Sequence, residues 1–232
     1  MLELWSKLIY FLQIGKNVEA KQLLKRALEI QPKFPACWMN LGVVEANLNE
    51  FEAAEFSYKM ALRQRRLYPD CHYNLGTLYL KTRDFEKAKE EFSRAIDLRP
   101  NHFPSWSNLV ILLDNLEQFE EAEKKAKLAI QIFPEKSDFY FHLANIYGKR
   151  DLFAAAESNY LTAIGKDWSK AIYFVNLGVL YHRKEKFDLA VAAYKKAIML
   201  DPNNQSAKAN LKRINEKTFY SDGHSFLSFS YT

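Results

Sequence analysis

Long apolar runs are missing from this chain. The patch from Leu8 to Leu12 is too short to span a bilayer, and with Glu3 ahead of it and no cleavage site behind it, it is too weak for a signal peptide. As written, the polypeptide reads as soluble. Glycine and proline are scarce, seven of each in 232 residues, while 48% of the residues are hydrophobic; disorder has little room and a core is ample. Only two cysteines occur, Cys37 and Cys71, one sequence repeat apart. Equivalent points on stacked repeats stand about a helix diameter, ~10 Å, apart, whereas a disulfide needs Cα atoms within about 7 Å, so buried or groove-side free thiols are expected. Charge of one sign is missing too: the formal net charge is +5, but acids and bases interleave, as in Glu120 to Lys127, and the one-sided basic stripe that nucleic acid requires is not there. Nor is there a Gly-rich phosphate loop, a His-Glu-x2-His or a Cys-x2-Cys pattern. The histidines, His72, His102, His142, His182 and His224, lack paired metal-ligand spacing and are expected to be satisfied or exposed imidazoles. No carboxylate pair stands out as an acid and base. No catalytic residue, metal ligand or cofactor is assigned to this chain.

What is present is a period. Leu41, Leu75, Leu109, Leu143, Leu177 and Leu211 recur every 34 residues. Ala20, Ala54, Ala88, Ala122, Ala156 and Ala190 keep the same step, as do Ala27, Ala61, Ala95, Ala129, Ala163 and Ala197. Phe51, Phe85, Phe119, Phe153 and Phe187 form a further column. Such a period marks a stack of identical supersecondary units that share a continuous core. Within each unit a first helix carries i, i+3, i+4, i+7 faces such as His72, Leu75, Gly76, Tyr79, and a second carries Ala88, Phe92, Ala95. Pro32, Pro100, Pro134 and Pro202 follow the second helix, where the chain stops and turns.

Trp-x2-Leu-Gly-x2-Tyr followed by Ala, Phe, Ala and Pro is the pattern this chain resembles, that of tetratricopeptide repeats. The resemblance implies an all-α, right-handed superhelical solenoid of helix-turn-helix units. Residues 1–204 divide into six units, 205–217 read as a polar capping helix and 218–232 as an irregular tail. The first unit is degenerate: Lys7 falls on the leucine column, and Leu4, Leu8 and Phe11 slide one position to cover it. Arg66 and Trp168 replace the terminal proline, so those two turns are expected to differ in detail. The aromatics Trp38, Trp106, Tyr140, Phe174, Tyr79, Tyr147 and Tyr181 have the spacing of core residues.

Immediately before the leucines stands a column of amides, Asn40, Asn74, Asn108, Asn176 and Asn210, with His142 in the interrupting place. In tetratricopeptide stacks this position faces the concave groove, so the resemblance implies an inner wall of Asn. Each amide offers one acceptor and two donors and can pair two-point with a peptide unit. Such a ladder holds backbone with little regard to sequence, as implied for the similar stack of nucleocytoplasmic O-linked N-acetylglucosamine transferase; alternatively the amides pack against their neighbours. Met39, Tyr73, Ser107, Phe141 and Val175 precede them, and Asn47, Lys81, Asn115, Lys149 and Arg183 follow. The Lys-x3-Asn clamp for heat-shock carboxylates is absent, its places being held by Met39 and Val43, Tyr73 and Thr77, and Phe141 and Asn145 among others.

Four strings go beyond the repeat: YPDCHYNLGTLY from Tyr68, ILLDN from Ile111, LANIYGK from Leu143 and LGVLYHR from Leu177. Their order resembles the repeat half of the transmembrane and tetratricopeptide repeat-containing family. That resemblance implies an endoplasmic-reticulum protein O-mannosyltransferase acting on cadherin-type ectodomains from a dolichol-linked donor, with this chain as its substrate-recruiting repeats and its active site in a missing N-terminal membrane region. The implied partner is a protein ligand. Asn204, in Asn204-Gln205-Ser206, would then be an N-glycosylation sequon. The other reading is a soluble adaptor with no linked enzyme, cytoplasmic if the chain is a complete product.

Overall fold

The structure is a computed structural model that describes residues 7, 10, 11 and 13–223, with the backbone alone at 215 and 217–223. Among the described residues there are twelve helices and no strand. They are α1 (Asn17–Ile30), α2 (Pro35–Asn47), α3 (Phe51–Gln64), α4 (Pro69–Lys81), α5 (Phe85–Leu98), α6 (Phe103–Asn115), α7 (Phe119–Ile132), α8 (Ser137–Lys149), α9 (Phe153–Lys166), α10 (Ala171–Arg183), α11 (Phe187–Leu200) and α12 (Gln205–Gly223). The boundaries repeat with the sequence period, so the all-helical expectation holds.

Each hairpin turns by the same device. The position after the first helix's cap has a left-handed backbone at Gly15, Asn49, Arg83, Glu117, Asp151 and Glu185. Around Asn49 the amide of Glu50 reaches back to Glu45 O at 2.9 Å and that of Asn49 to Ala46 O at 3.3 Å; Asp84 to Tyr79 O at 2.9 Å and Lys186 to Tyr181 O at 3.0 Å repeat the first of these. This pairing caps the orphan carbonyls of a helix end and fixes the exit direction. Proline then opens α2 and α4, where its missing N–H costs nothing.

The second helix is tied to the next first helix through a carbonyl in the connecting turn. Trp38 Nε1 donates to Pro32 O at 2.9 Å, Trp106 Nε1 to Pro100 O at 2.8 Å and Tyr140 Oη to Pro134 O at 3.3 Å. At Arg66 the same carbonyl is met by His72 Nε2 at 3.3 Å. The turns at Arg66 and Trp168 keep the spacing of the others but differ in the tie, which is to histidine at Arg66, while Phe174, in the corresponding place after Trp168, has no side-chain donor. The tie at Arg66 uses a backbone oxygen, which any residue supplies, and not the proline ring.

The helices fall into two compact units, Met1–Leu116 and Glu117–Thr232. In the first, α2 packs on α3 and α4 on α5, with α1 against α2, α3 against α4 and α6 against α5. Its core is built of Leu24, Leu41, Val44, Tyr58, Leu75, Phe92 and Leu109, each worth about 1.5–3 kcal/mol of burial. Glycine and aromatic are matched in size: a Cβ on Gly42 would lie 2.7 Å from the Tyr58 ring and one on Gly76 2.9 Å from Phe92. In the second unit α8 packs on α9 and α10 on α11, around Phe139, Leu143, Tyr160, Tyr173, Leu177 and Tyr194. Gly178 lets the Tyr194 ring approach in the same way.

Lys7 is helical and exposed, and Phe11 joins the cluster around Leu24 and Leu41; Leu4 and Leu8 lie outside the described residues. The last helix runs through Gly223, past the end expected at 217, and 224–232 of the expected tail lie outside the described residues.

Candidate functional site

In the first unit Asn40, Asn74 and Asn108 sit on α2, α4 and α6, each one residue before a buried leucine and each half-buried. A residue adjacent to a core position on a helix stands about 100° around from it, which puts these amides at the margin of the core. Their side chains make no hydrogen bond to the described residues, so donors and acceptor remain unspent. Met39, Tyr73 and Ser107 lie half-buried beside them, and Asn47, Lys81 and Asn115 are exposed further along. Tyr73 is held by the Phe92 ring, centroids 6.0 Å apart, and by His102 at 5.2 Å. Asn108 and Asn115 also border a cavity of about 180 Å³ walled by Leu80, Phe85, Ile111 and Leu112. An apolar recess of this size, flanked by two amides, has room for one aliphatic side chain.

The second unit treats the same column differently. Asn176 Nδ2 donates to Asn145 Oδ1 at 2.9 Å, and Tyr160 Oη donates to the same oxygen at 2.6 Å. Asn176 is thus engaged within the protein. His142 stands half-buried beside the Phe141 ring, and Asn210 is half-buried on α12. Phe141 stacks on Tyr173, centroids 4.7 Å apart, and stays half-buried, whereas Val175 is buried and offers no surface there. Asn145 was the residue that sequence reasoning passed over. Its signal was visible: it is the amide in a column otherwise filled by Val43, Thr77, Ile111 and Val179.

Charged side chains near these faces are spent on structure. Asp70 takes both Arg99 guanidinium nitrogens, at 2.8 and 3.0 Å, and His102 Nε2 lies 3.4 Å away. The Arg99 bonds hold the Asp70 carboxyl below the usual carboxylate range. Asp138 accepts from Lys170 at 2.7 Å. His72 is buried between two acceptors, Glu91, 2.6 Å from Nδ1, and Arg66 O, 3.3 Å from Nε2, so both ring nitrogens are engaged within the protein. Arg183 donates to Gly148 O at 2.7 Å and to Asp151 at 2.6 Å. Asp70, His72 and Arg183, which belong to the specific strings, therefore have internal duties.

Both thiols are free and buried, donating at 3.5 Å to Leu24 O and Tyr58 O. Burial pushes Cys37 up to about 11 and Cys71 up to about 12. Asn204 caps α12: its Oδ1 accepts from Ala207 N at 2.9 Å and its Nδ2 donates to Asp201. A glycan on that nitrogen would compete with the bond to Asp201 and leave the capping oxygen in place. The aromatic columns are core or near-core, with Trp106, Tyr79, Tyr147 and Tyr181 buried and Trp38, Tyr140 and Phe174 half-buried. Among the described residues no group of three His, Cys, Asp or Glu side chains converges on one point, and no helix is long and apolar enough to cross a membrane.

Two family profiles match the chain, each described as a tetratricopeptide repeat, one over residues 8–70 and the other over 69–102 and 171–204; together they take in more than half of it. No curated protein matches. Among solved structures the chain is similar to YrrB, described as a TPR protein with an unusual peptide-binding site, at 23% identity over 82% of this chain and 97% of that one, with a TM-score of 0.63. It is similar to pilF of Pseudomonas aeruginosa at 19% identity, 89% and 94% coverage and a TM-score of 0.72. Against the APC/C hetero-tetramer Cut9-Hcn1 the identity is 19% and the TM-score 0.68, over 91% of this chain and 42% of that one. Identities this low speak to the fold alone.

Proposed function

Because the chain belongs to the tetratricopeptide-repeat family, whose members are protein-interaction modules, we propose that its amide-bearing face in the first unit binds an extended segment of a protein. The observation that carries this reading is the trio Asn40, Asn74 and Asn108, half-buried, one per repeat and without internal partners. Repeats advance by ~10 Å and an extended chain by ~3.3–3.6 Å per residue, so each amide meets every third peptide unit. YrrB, by its description, also has a peptide-binding site.

The finer reading is that the module recruits cadherin-type ectodomains for an endoplasmic-reticulum O-mannosyltransferase whose catalytic part lies outside this chain. It rests on the four strings from Tyr68, Ile111, Leu143 and Leu177. Capture beside a catalytic site raises the effective substrate concentration, a gain governed by geometry. The alternative is an adaptor with no linked enzyme, which needs only the repeats.

The test replaces Asn40, Asn74 and Asn108 together by Ala and measures binding to an array of unrelated extended peptides. Loss should be uniform across sequences, about tenfold per amide, because two backbone hydrogen bonds vanish at each site. Unchanged binding by a variant with native circular dichroism would sink the ladder. Proximity labelling in the reticulum lumen, with the chain directed there by an added signal sequence, separates the two finer readings. Enrichment of cadherin-type ectodomains by the parent and not by the variant favours the transferase; enrichment only of cytosolic complexes by the untargeted chain favours the adaptor.

A further inference from the structure

A larger cavity lies on the other side of α2. The crevice between α1 and α3 encloses about 490 Å³, lined among others by Lys25, Leu28, Trp38, Glu45, Phe56 and Ser57. On a 3.6-residue helix Trp38, Leu41 and Glu45 stand roughly 100° or more around from Asn40, so the crevice is separate from the amide face.

Its origin is an exchange at two repeat columns. In three other repeats the Glu45 position is a buried tyrosine: Tyr79, Tyr147 and Tyr181 donate to Glu55, Glu123 and Glu157 on the preceding second helix at 2.8, 3.0 and 2.9 Å. Here the acid is on the first helix, and Lys21 stands where those glutamates stand. Lys21 turns to Glu50 instead. The space a tyrosine ring fills elsewhere is left open, with a carboxylate at its base.

That carboxylate is only 3% exposed, and Ser57 Oγ donates to its Oε2 at 2.6 Å. Burial is the leading influence and pushes Glu45 up, against the Ser57 bond and the fields of Lys21 and Lys25. The group is short of positive partners. Above it Trp38 meets Phe56 edge-on, centroids 6.0 Å apart at 77°, and Phe56 is 57% exposed. Its column neighbours are Glu90, Lys124, Ser158 and Ala192, so this large exposed ring belongs to this repeat only. Glu29 and Glu45 against Lys25 give the lining an excess of negative charge.

The geometry points to a second binding site here, for an arginine side chain presented by a protein partner, with its guanidinium against Glu45 and its stem between Trp38 and Phe56. Arginine fits better than lysine because a planar fork pairs with a carboxylate and stacks on aromatic rings, and it loses less hydration on entry. Ser57 holds one carboxylate oxygen in place and leaves Oε1 for the ligand.

The experiment uses the full chain labelled with ¹⁵N, follows the Trp38 indole N–H signal, and titrates acetyl-Gly-Arg-Gly-amide and its citrulline counterpart. A saturable shift with the arginine peptide is expected, with the neutral citrulline peptide about tenfold weaker or more. Glu45→Gln, which keeps an acceptor for Ser57, should weaken the arginine peptide by a similar factor, and Phe56→Ala, at an exposed position, by several-fold. No saturable shift, equal affinity for the citrulline peptide, or loss of the shift in the Asn74→Ala/Asn108→Ala variant would each overturn the assignment.

Discussion

Adding a side chain at Gly76 tests how the repeats are held together. A Cβ there would stand 2.9 Å from both Cδ1 and Cε1 of Phe92, whose ring is fully buried. Carbon atoms rest at about 3.5–4.0 Å, so the ring must yield by roughly 0.6 Å or more in a close-packed interior. Overpacking of this kind costs about 1–3 kcal/mol, while replacing glycine within a helix returns up to about 1 kcal/mol for Ala and less for a β-branched residue. Gly76→Val, with two further methyls and a smaller propensity gain, should therefore lose about 2 kcal/mol. Phe92→Ala alone should lose about 3–5 kcal/mol through the cavity it leaves. Elsewhere in the sequence the same two columns carry Val110 and Ala126, the large and small residues exchanged. The double variant Gly76→Val/Phe92→Ala should thus recover at least about 1 kcal/mol relative to the sum of its singles. Urea unfolding followed by far-UV circular dichroism measures all four proteins. A neutral Gly76→Val, or strict additivity in the cycle, would refute size matching as the reason for the glycine.

Tyr194 is fully buried and its hydroxyl has no partner among the described residues, so Tyr194→Phe, which leaves the ring in place, should raise stability by about 1 kcal/mol in the same assay. With Cys37 raised to about 11 and Cys71 to about 12, neither thiol should react with a disulfide reagent at pH 8 on the timescale of free cysteine, and both should react in urea. Prompt labelling of the folded protein would show that these helices open locally. Arg99 lowers the Asp70 carboxyl, while Lys59 and Lys127 lead the lowering of Glu55 and Glu123. The unfolded chain holds those protons more tightly, so the stabilisation is fully present above about pH 4–5 and is lost as pH falls through the lowered values. Asp70→Asn should flatten that acid limb by losing the same increment at pH 7, about 1 kcal/mol or less for so exposed a pair, with little change at low pH.

The repeat, its helices and most of the core were legible because a 34-residue step leaves no freedom of register: leucine, alanine and aromatic columns name the buried faces, and the left-handed turn returns at the same step. The fate of individual polar residues was not legible. Asn40, Asn74, Asn108 and Asn176 share a column, yet Asn176 alone is bonded to an amide, because Asn145 stands where neighbouring repeats carry Val43, Thr77 and Ile111. Val175 shares a column with Met39, Tyr73 and Phe141, which are half-buried, yet packing buries Val175. Glu45 is one letter in a tyrosine column, and only the packing of α1 and α3 shows that losing the ring leaves a cavity with the carboxylate inside it. Periodicity fixes which face of a helix is turned inward, since that depends on one helix's own geometry. Whether a side chain at the margin of that face is bonded, covered or open depends on the residues of two other helices, and only the folded chain brings them within reach.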